Sequence, residues 1–387
     1  MNILIAPDSL KGSLSALEFC QIVARKIQLR HANANLHLMP LADGGEGTID
    51  AILANEAGKL ITVSVQNALG QVIEAQYAIL DEKQTAIIEM AQASGLPLIK
   101  ASERNPMKAS SFGSGELIKD ALDHGCRRFI IGLGGSATND GGIGMLQALG
   151  AKFFAAQQRE IQPCGQSLNE IDVIDLSGFD SRLLACEVII AGDVTNPLLG
   201  ENGATYIFGP QKGADQSMLL ELEAGMKHFA KKTLTACNIS ESLLAAPGAG
   251  AAGGIGFALM AYCQATMKSG FELIAEMADL DGVFANAATR PDLIITGEGH
   301  FDNQSLHGKL IGRLSERADK HDIPMLVICG GVGDDLDQKA ISSNISAFSI
   351  CQGPVSLEYA MENTASLLNK LMTNLVKIIF LSLNRKK

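Results

Sequence analysis

Four carboxylates follow predicted strands and stand beside tight turns. They are Asp8, Asp43, Asp193 and Glu298. In open parallel sheets, ligands bind outside the carboxyl ends of the strands. Several acids gathered there would repel one another unless a cation or another partner lay among them. Mg²⁺ takes oxygen ligands and commonly shares them with phosphates, so the pattern predicts a magnesium-assisted site, although acids also favour turns for local reasons.

A glycine-rich stretch, GLGGSATNDGGIG from Gly132 to Gly144, lies between the apolar run RRFIIGL and a helix-like GMLQALG. A strand, a glycine turn and a helix start together point backbone N–H groups at an anion and let it approach closely. Ser136 and Thr138 can add hydroxyl donors, whereas Asn139 and Asp140 can hold a metal ion or cap the helix. The Walker pattern GxxxxGK[ST] is absent. We therefore predict a phosphate-binding loop that is not an ordinary P-loop.

A dinucleotide fingerprint is the rival interpretation of these glycines. GLGGSA fits GxGxxG/A after a strand, but the nearest acid at the expected distance, Glu160, follows no convincing strand. GAGAAG, residues 248–253, matches the pattern literally but follows LLAAP, and helix packing explains it equally well. An NAD(P)-dependent oxidoreductase is thus the rival enzyme, and a nucleotide or sugar-acid sensor is the rival protein without catalysis.

Three further connections carry polar residues at unusual density. In DSLKGSLSA, Lys11 can meet a carboxylate or a phosphate, or remain an exposed lysine before a helix. In DVTNPLLGENGATYIFGPQKGA, Asp193 is followed by Thr195 and Asn196, and Lys212 can present an amine to phosphate oxygens or be solvated. The connection GEGHFDNQSLHGK contains Glu298, His300, Asp302, Gln304, His307 and Lys309. Ordering so many polar groups is costly without a ligand.

The elements that must position these residues alternate at both ends of the chain. Strands are predicted for NILIAPD, NLHLMPLADGG, PDLIITGEG and IPMLVICGG, and helices for SLSALEFCQIVARKIQLR, residues 47–56 and LIGRLSERADKHD. Such alternation is typical of a parallel α/β sheet. From about residue 60, LITVSVQNALGQVIEAQYAILDEKQTAIIEMA instead indicates antiparallel strands with hairpins at NALG and DEKQ.

The middle of the chain adds helices at SGELIKDALDHG and FALMAYCQATM and strands at RRFIIGL, AKFF and CEVIIAGD. We predict an α/β fold of two domains. A discontinuous Rossmann-like domain with a parallel sheet covers residues 1–60 and 286–387, and a second α/β domain with a mixed sheet, residues 61–285, is inserted into it. The active site is expected in the interdomain cleft.

Composition excludes several classes of protein. The formal net charge of −11 argues against non-specific nucleic-acid binding. Eight scattered cysteines without a CxxC motif fit buried, reduced thiols in the cytoplasm, and MNILIAPD lacks the basic region of a signal peptide. Residues 242–267 are uncharged, but proline and glycines interrupt them, which favours a buried turn and helix over a membrane span. We expect the C-terminal helix to pack on the protein body or on a partner subunit rather than on a membrane.

Six motifs occur in one order and resemble those of the bacterial class I glycerate kinases, the glycerate 2-kinases. They are IAPDSLKGSLSA, PLADGGEGT, IGLGGSATNDGG.GMLQALG, DVTNPLLG..GA..IFGPQKGA, PGAGAAGG.GF and LIITGEG..D.QSLHGK, and they span roughly residues 2–331. The resemblance implies two α/β domains, one inserted into the other, and transfer of the γ-phosphoryl group of ATP to D-glycerate with Mg²⁺. The implied product is 2-phosphoglycerate, and attack by the 3-hydroxyl, giving 3-phosphoglycerate, is the alternative.

Residue roles are carried over by motif. Asp193 is predicted to accept the proton of the attacking hydroxyl, with Asp8 as the alternative base, and Lys11 to fix the glycerate carboxylate or the transferring phosphate. The predicted metal ligands are Asp193 and Asp140. The predicted substrate-binding residues are Ser13, Asp43, Gly44, Gly45, Glu298, His300 and Asp302, and the predicted ATP- or phosphate-binding residues are Gly134, Gly135, Ser136, Ala137, Thr138, Asn139, Lys212 and Lys309.

The chain departs from the family pattern in places. His300 stands where members often have arginine, which would make anion binding there pH-dependent, LIGR follows Lys309 where a proline is common, and NALG replaces DPLG. The basic tail is outside the shared pattern. The expected ligands are ATP and D-glycerate, and no nucleic acid or membrane is expected as a partner. The expected assembly is a homodimer.

Overall fold

A computed structural model describes residues 1–80, 84–306, 309–334, 336 and 342–381. Its strands are β1 Asn2–Ile5, β2 Asn35–Leu38, β3 Gly58–Gln66, β4 Val72–Leu80, β5 Thr85–Glu89, β6 Arg128–Gly132, β7 Lys152–Phe154, β8 Val173–Asp175, β9 Glu187–Ala191, β10 Thr266–Lys268, β11 Leu293–Phe301, β12 Met325–Val332 and β13 Ile345–Ser349.

The α-helices are α1 Ala16–Arg30, α2 Thr48–Asn55, α3 Ala91–Ser94, α4 Phe112–Asp123, α5 Ile143–Ala148, α6 Ala204–Phe208, α7 Gln216–Cys237, α8 Ile255–Cys263, α9 Gly270–Met277, α10 Leu280–Ala285, α11 Asn303–Leu306, α12 Leu310–Asp319, α13 Leu357–Glu362 and α14 Thr364–Leu381. Short 3₁₀ helices cover Leu96–Leu98, Ala101–Glu103, Ala156–Gln158, Gly165–Glu170, Ser181–Ala185, Pro210–Lys212, Glu241–Ala245 and Ala251–Gly254.

The chain packs as two compact units. Unit 1 comprises Met1–Asp43, Asp50–Glu56 and the chain from Phe271 onward, and unit 2 comprises Gly44–Ile49 and Ala57–Gly270. Parallel sheets with helices confirm the predicted α/β class. The division into two domains at 60/61 and 285/286, with a site in the cleft, stays a prediction.

The sheet of unit 1 has five parallel strands in the order β13-β12-β11-β1-β2. Numbered along the chain and read from the other edge, this is the doubly wound order 2-1-3-4-5. The order reverses between β1 and β11, and in such sheets the crevice at the reversal is where ligands bind. The topology of unit 1 therefore indicates a ligand-binding site at the carboxyl ends of β1 and β11.

Helices α1 and α14 cover this sheet with apolar side chains. Phe19 and Ile27 of α1 and Leu368 and Met372 of α14 are fully buried in one core cluster. Ser15 caps α1, and its hydroxyl accepts the Glu18 amide at 3.2 Å. The C-terminal helix packs on the protein body, as expected. None of the helices in the described part of the chain is long and apolar enough to span a membrane.

The sheet of unit 2 is mixed, in the order β10-β9-β6-β5-β4-β3. β3, β4 and β5 are antiparallel neighbours, and β5, β6, β9 and β10 are parallel. The predicted hairpin at NALG is confirmed, with Asn67 Oδ1 accepting the amides of Leu69 and Gln71. The predicted hairpin at DEKQ falls on residues 81–83, which lie outside the described residues. Glu89, Gly132 and Ala191 each end a strand, and these three strands are parallel neighbours. The three residues therefore lie next to one another at the carboxyl ends of the strands.

The predicted helix FALMAYCQATM is too long. Helix α8 ends at Cys263, Gln264 has a left-handed φ of 53°, and Thr266–Lys268 pairs with β9 as strand β10. Pairing with the sheet therefore overrides the helical pattern, which a β-branched threonine supports only weakly. The preceding glycine-alanine turn is buried, as predicted, and all eight cysteines are free.

Candidate active site

Two hydrogen bonds join the ends of β1 and β11 in unit 1. The amide of Asp8 donates to the carbonyl of Gly297 at 2.8 Å, and Thr296 Oγ1 donates to the carbonyl of Ala6 at 2.7 Å. Glu298 does not end its strand as predicted, because β11 continues to Phe301 alongside β12. Glu298 thus lies in β11 and Asp8 lies three residues after the end of β1, and these two strands flank the reversal point.

Asp8, Asp43, Glu298 and Lys11 form a carboxylate cluster in unit 1. Asp8 is only 5 % exposed, and its Oδ1 accepts the Ser9 amide at 2.7 Å. Burial, and then the charge of Asp43, raise the pKa of Asp8 to about 7. Burial likewise raises the pKa of Glu298 to about 7, and its Oε1 has no hydrogen-bond partner among the described residues. Both carboxyl groups can therefore gain or lose a proton near neutral pH.

Lys11 supplies the positive charge of the cluster. Its Nζ lies 2.9 Å from Asp43 Oδ2, and its side chain is 55 % exposed. Partial desolvation lowers the pKa of Lys11, but the carboxylates of Asp43 and Asp8 outweigh this and raise it above its ordinary value. The ammonium is therefore charged at neutral pH and open to an anion from solvent.

The other residues predicted in unit 1 lie around the loops of the cluster. The Ser13 hydroxyl donates to the carbonyl of Leu10 at 2.8 Å. His300 is exposed and faces the backbone of Gly331. Asp302 Oδ1 accepts the Ser305 amide at 3.1 Å at the start of α11, and exposed Lys309 reaches Gln304 at 3.4 Å. His307 lies outside the described residues.

The glycine loop, Gly132–Gly144, divides into an open and a buried part in unit 2. Gly134 and Gly135 are exposed, and within the described residues no hydrogen bond uses the amides of Gly134, Gly135 or Ser136. From Ser136 to Asp140 the chain is buried. Only the first part of the loop can therefore present amides to an anion without rearrangement.

Asp140 caps helix α5 from inside the loop. Its fully buried carboxylate accepts four hydrogen bonds, from the Ser111 amide and hydroxyl and from the amides of Gly142 and Gly144, at 2.7 to 3.3 Å. Of the two roles predicted for Asp140, the structure shows the cap. The predicted use of this helix start for an anion is wrong, because Asp140 already occupies it.

The Gly44–Ile49 segment packs directly on the glycine loop. A Cβ on Gly134 would lie 2.7 Å from Gly45 Cα, and a Cβ on Gly44, whose φ is +89°, would lie 2.6 Å from the carbonyl oxygen of Ala191. Cβ atoms do not tolerate such distances, so glycine is required for this packing. The structure thereby places Gly45 against Gly134, and Gly44 against Ala191 at the end of β9, two residues before Asp193.

Glu89 holds the Gly44–Ile49 segment in place. It was not among the residues predicted from the sequence. It ends β5, is buried, and its Oε1 accepts the Ile49 amide at 2.8 Å. The signal that identified the other acids, a carboxylate at the end of an apolar strand, is present in TAIIEM and would have found it.

Asp193 follows β9 on the loop that leads to Asn196. The Asn196 side chain donates to the carbonyl of Asn202 at 2.8 Å, and its carbonyl accepts the Gly250 amide at 3.0 Å. The loop is therefore pinned at Asn196, while Thr195 is exposed. Lys212 is buried and bonds to the glycine loop, so it is not the solvated lysine of the alternative interpretation.

The donor set suits magnesium better than a metal bound by protein alone. In the described part of the chain, no group of three His, Cys, Asp or Glu residues could hold a metal ion. Mg²⁺ is usually bound by one or two carboxylates, with phosphates and water completing the shell. Asp193, two residues after the end of β9, is one carboxylate that fits that requirement, whereas Asp140 has its oxygens engaged in hydrogen bonds.

Comparisons with known proteins agree across nearly the whole chain. A family model described as the glycerate kinase family matches residues 3–380. The chain is 42% identical over 370 residues to a glycerate kinase of Bacillus subtilis (strain 168), covering 96% of this chain and 95% of that protein. It is 45% identical over 336 residues to the glycerate 2-kinase of Escherichia coli (strain K12), covering 87% of each.

A solved structure is similar to this one along its full length. The crystal structure of a proposed glycerate kinase 2 from Salmonella typhimurium LT2 superposes with a TM-score of 0.83 at 39% sequence identity. The match covers 99% of both chains.

Proposed function

The chain belongs to the glycerate kinase family, and on that premise we propose that it transfers the γ-phosphoryl group of ATP to D-glycerate, giving 2-phosphoglycerate and ADP. The name of the Escherichia coli relative, glycerate 2-kinase, supports attack by the 2-hydroxyl. The carboxylate cluster carries the proposal, because it combines an accessible ammonium with a carboxyl group whose pKa is about 7.

Lys11 is proposed to bind the glycerate carboxylate. Its ammonium is exposed and already oriented by Asp43 at 2.9 Å. Three carboxyl groups beside an anionic substrate would normally repel it, but the raised pKa values of Asp8 and Glu298 reduce the negative charge near neutral pH. The cluster is therefore less negative near neutral pH than three fully ionised carboxylates would be, which favours binding of an anionic hydroxy acid.

Asp8 is proposed as the base that accepts the proton of the attacking hydroxyl. The Ser9 amide occupies Oδ1, which leaves Oδ2 to take the proton. A general base works best when its pKa lies near the working pH, and the pKa of Asp8 is about 7, so the base is placed here and not at Asp193, the first sequence prediction. Asp193 is proposed instead to hold Mg²⁺ together with the nucleotide phosphates.

The open part of the glycine loop is proposed to receive those phosphates. The amides of Gly134, Gly135 and Ser136, which form no hydrogen bond to any described residue, support this role, since phosphoryl transfer depends on positioning and charge neutralisation. When bound, Mg²⁺ would neutralise charge on the transferring phosphoryl group.

The experiment is incubation with ATP, Mg²⁺ and D-glycerate, followed by NMR identification of the phosphorylated product. Formation of 2-phosphoglycerate with one ADP per product is expected. Formation of 3-phosphoglycerate would overturn the proposed regiochemistry, and ADP release that does not depend on glycerate would overturn the kinase assignment. An Asp8→Asn sample serves as the matched control. A homodimer and a cytoplasmic location stay predictions.

A further inference from the structure

Lys212 is the one lysine among the largest fully buried side chains of the described residues. It ends the 3₁₀ helix Pro210–Lys212, and only 1 % of it is exposed. Lysine is almost never fully buried unless its ammonium is paired, because desolvating the charge is costly. Its ammonium therefore requires polar partners within unit 2.

The partners of Lys212 are two oxygens of the glycine loop. Its Nζ donates to Ser136 Oγ at 2.8 Å and to the carbonyl of Thr138 at 2.7 Å. The residue between them, Ala137, donates its amide to the carbonyl of Ser94 at 2.9 Å. The buried side of the loop is therefore held at three consecutive residues, immediately after exposed Gly134 and Gly135.

The charge of Lys212 is not neutralised by a close carboxylate. No ion pair of Lys212 occurs among the residues that the structure describes. Burial lowers the pKa of Lys212 to about 7, and Asp140 is the charged group that counteracts this. The Asp140 carboxylate itself is engaged by Ser111, Gly142 and Gly144. An anion on the loop would stabilise the ammonium form.

The Ser136 hydroxyl accepts a hydrogen bond from Lys212 and can still donate one. An ammonium only donates, whereas a serine hydroxyl can accept and donate at once. Since Ser136 Oγ accepts from Lys212, its own proton is available to a further acceptor, and a bond from a charged donor polarises that proton. Ser136 adjoins the open amides, so the acceptor class that fits is a phosphate oxygen.

We propose that Lys212 is a positioning residue for phosphoryl transfer, which acts through Ser136: it fixes the glycine loop from its buried side and directs the Ser136 hydroxyl proton at a nucleotide phosphate. This rests on the proposed kinase function. It differs from the sequence prediction, in which the amine of Lys212 itself meets the phosphate.

The test replaces Lys212 by methionine and measures ADP binding by calorimetry together with steady-state kinetics. Lys212→Met should weaken ADP binding and raise the KM for ATP by about tenfold or more, because a charge-assisted hydrogen bond is lost. The KM for glycerate should change less than twofold, within about the error of such assays. Lys232→Met is the matched control, since Lys232 bonds to Asp172 elsewhere in unit 2, and it should change neither constant.

A pH series separates this role from a merely structural one. Binding of the anion favours the ammonium, so wild-type ADP affinity should fall as the pH is raised from about 7.5 to about 9. The Lys212→Met variant should lose that dependence. Equal slopes in the two proteins, or equal ADP affinity at neutral pH, would overturn the proposal.

Ser136→Ala tests the same link if Lys212→Met does not fold. It should weaken ADP binding severalfold, and in the double variant the two effects should not add. Unchanged ADP affinity in Ser136→Ala would overturn the proposal. If the wild-type protein binds ADP and makes phosphoglycerate and the variants do so equally well, only the proposed role of Lys212 is overturned. Wild-type protein that does neither would overturn the proposed function as well.

Discussion

Replacing Asp8 by asparagine should remove activity and at the same time stabilise the protein. Asparagine keeps an oxygen that can accept the Ser9 amide, which Asp8 now binds at 2.7 Å, but it cannot take a proton from a hydroxyl. Loss of a general base typically costs about 10²- to 10⁴-fold in rate. We expect kcat to fall by that amount.

The pH profile follows from the pKa of about 7 at Asp8. A base must be ionised, so wild-type kcat/KM should rise with pH and level off above about 7, and at about pH 6 it should be roughly one-tenth of the plateau. The residual activity of Asp8→Asn should lack this acidic limb. In Asp43→Asn the limb should move to lower pH, because a like charge that raises the pKa of Asp8 is gone.

Stability supplies the second readout. The folded protein holds a proton on Asp8 up to about pH 7, whereas the unfolded chain releases it near 3.8. The folded state therefore binds more protons in between, and stability from this group is lost as pH rises from about 4 to about 7. A difference of about 3 pH units corresponds to at most about 4 kcal/mol. Asp8→Asn should recover up to that amount at about pH 8 and little at about pH 4.

Urea denaturation at both pH values and a kcat/KM profile form the assay. Glu298 also has a pKa of about 7, so Glu298→Gln is the necessary comparison, and it should retain the acidic limb that Asp8→Asn loses. Near-normal turnover in Asp8→Asn, or a limb that disappears only with Glu298→Gln, would refute the assignment of Asp8 as the base.

Three further predictions concern substrate binding and packing. Lys11→Ala should raise the KM for glycerate by about tenfold or more with a smaller effect on the KM for ATP, as initial rates would show, and an unchanged glycerate KM would exclude the proposed contact. Gly44→Ala should destabilise the protein by roughly 1–3 kcal/mol in urea denaturation, because its Cβ would lie 2.6 Å from a backbone oxygen at positive φ, whereas Gly353→Ala, with nothing within 4 Å, should be nearly neutral. Glu89→Ala should cost about 1–3 kcal/mol by leaving the Ile49 amide unpaired, and Glu89→Gln, which retains an acceptor, should cost less; equal losses in the two variants would argue against this bond.

The carboxylate cluster of unit 1 could be predicted because its signals are local. Asp8, Asp43 and Glu298 each follow or end an apolar run, and parallel strands collect such positions at one edge. The α/β class and the NALG hairpin also follow from local patterns, and both are confirmed. The predicted end of β11 is too early, since the continued pairing of Glu298 and His300 with β12 depends on a strand elsewhere in the chain.

The buried contacts could not be predicted, because their partners are distant in sequence. GPQKGA resembles a solvated turn, yet Lys212 reaches Ser136, 76 residues away. Asp140 was open to two roles until the structure placed Ser111 against it. Tertiary pairing likewise decided where α8 ends, since Gln264 and Thr266 follow the sheet and not the helical pattern.

The membership of Gly44–Ile49 in unit 2, between two stretches of unit 1, limits how the protein can be dissected. A fragment that begins at Ala57 and ends at Gly270 would lack the segment that lies on Gly134 and would leave Glu89 without the Ile49 amide. Neither unit is thus a transferable module in the way that a domain bounded by two cuts is. Recombination that exchanged the middle of this gene for that of a distant relative would have to preserve a short, separate piece of chain as well.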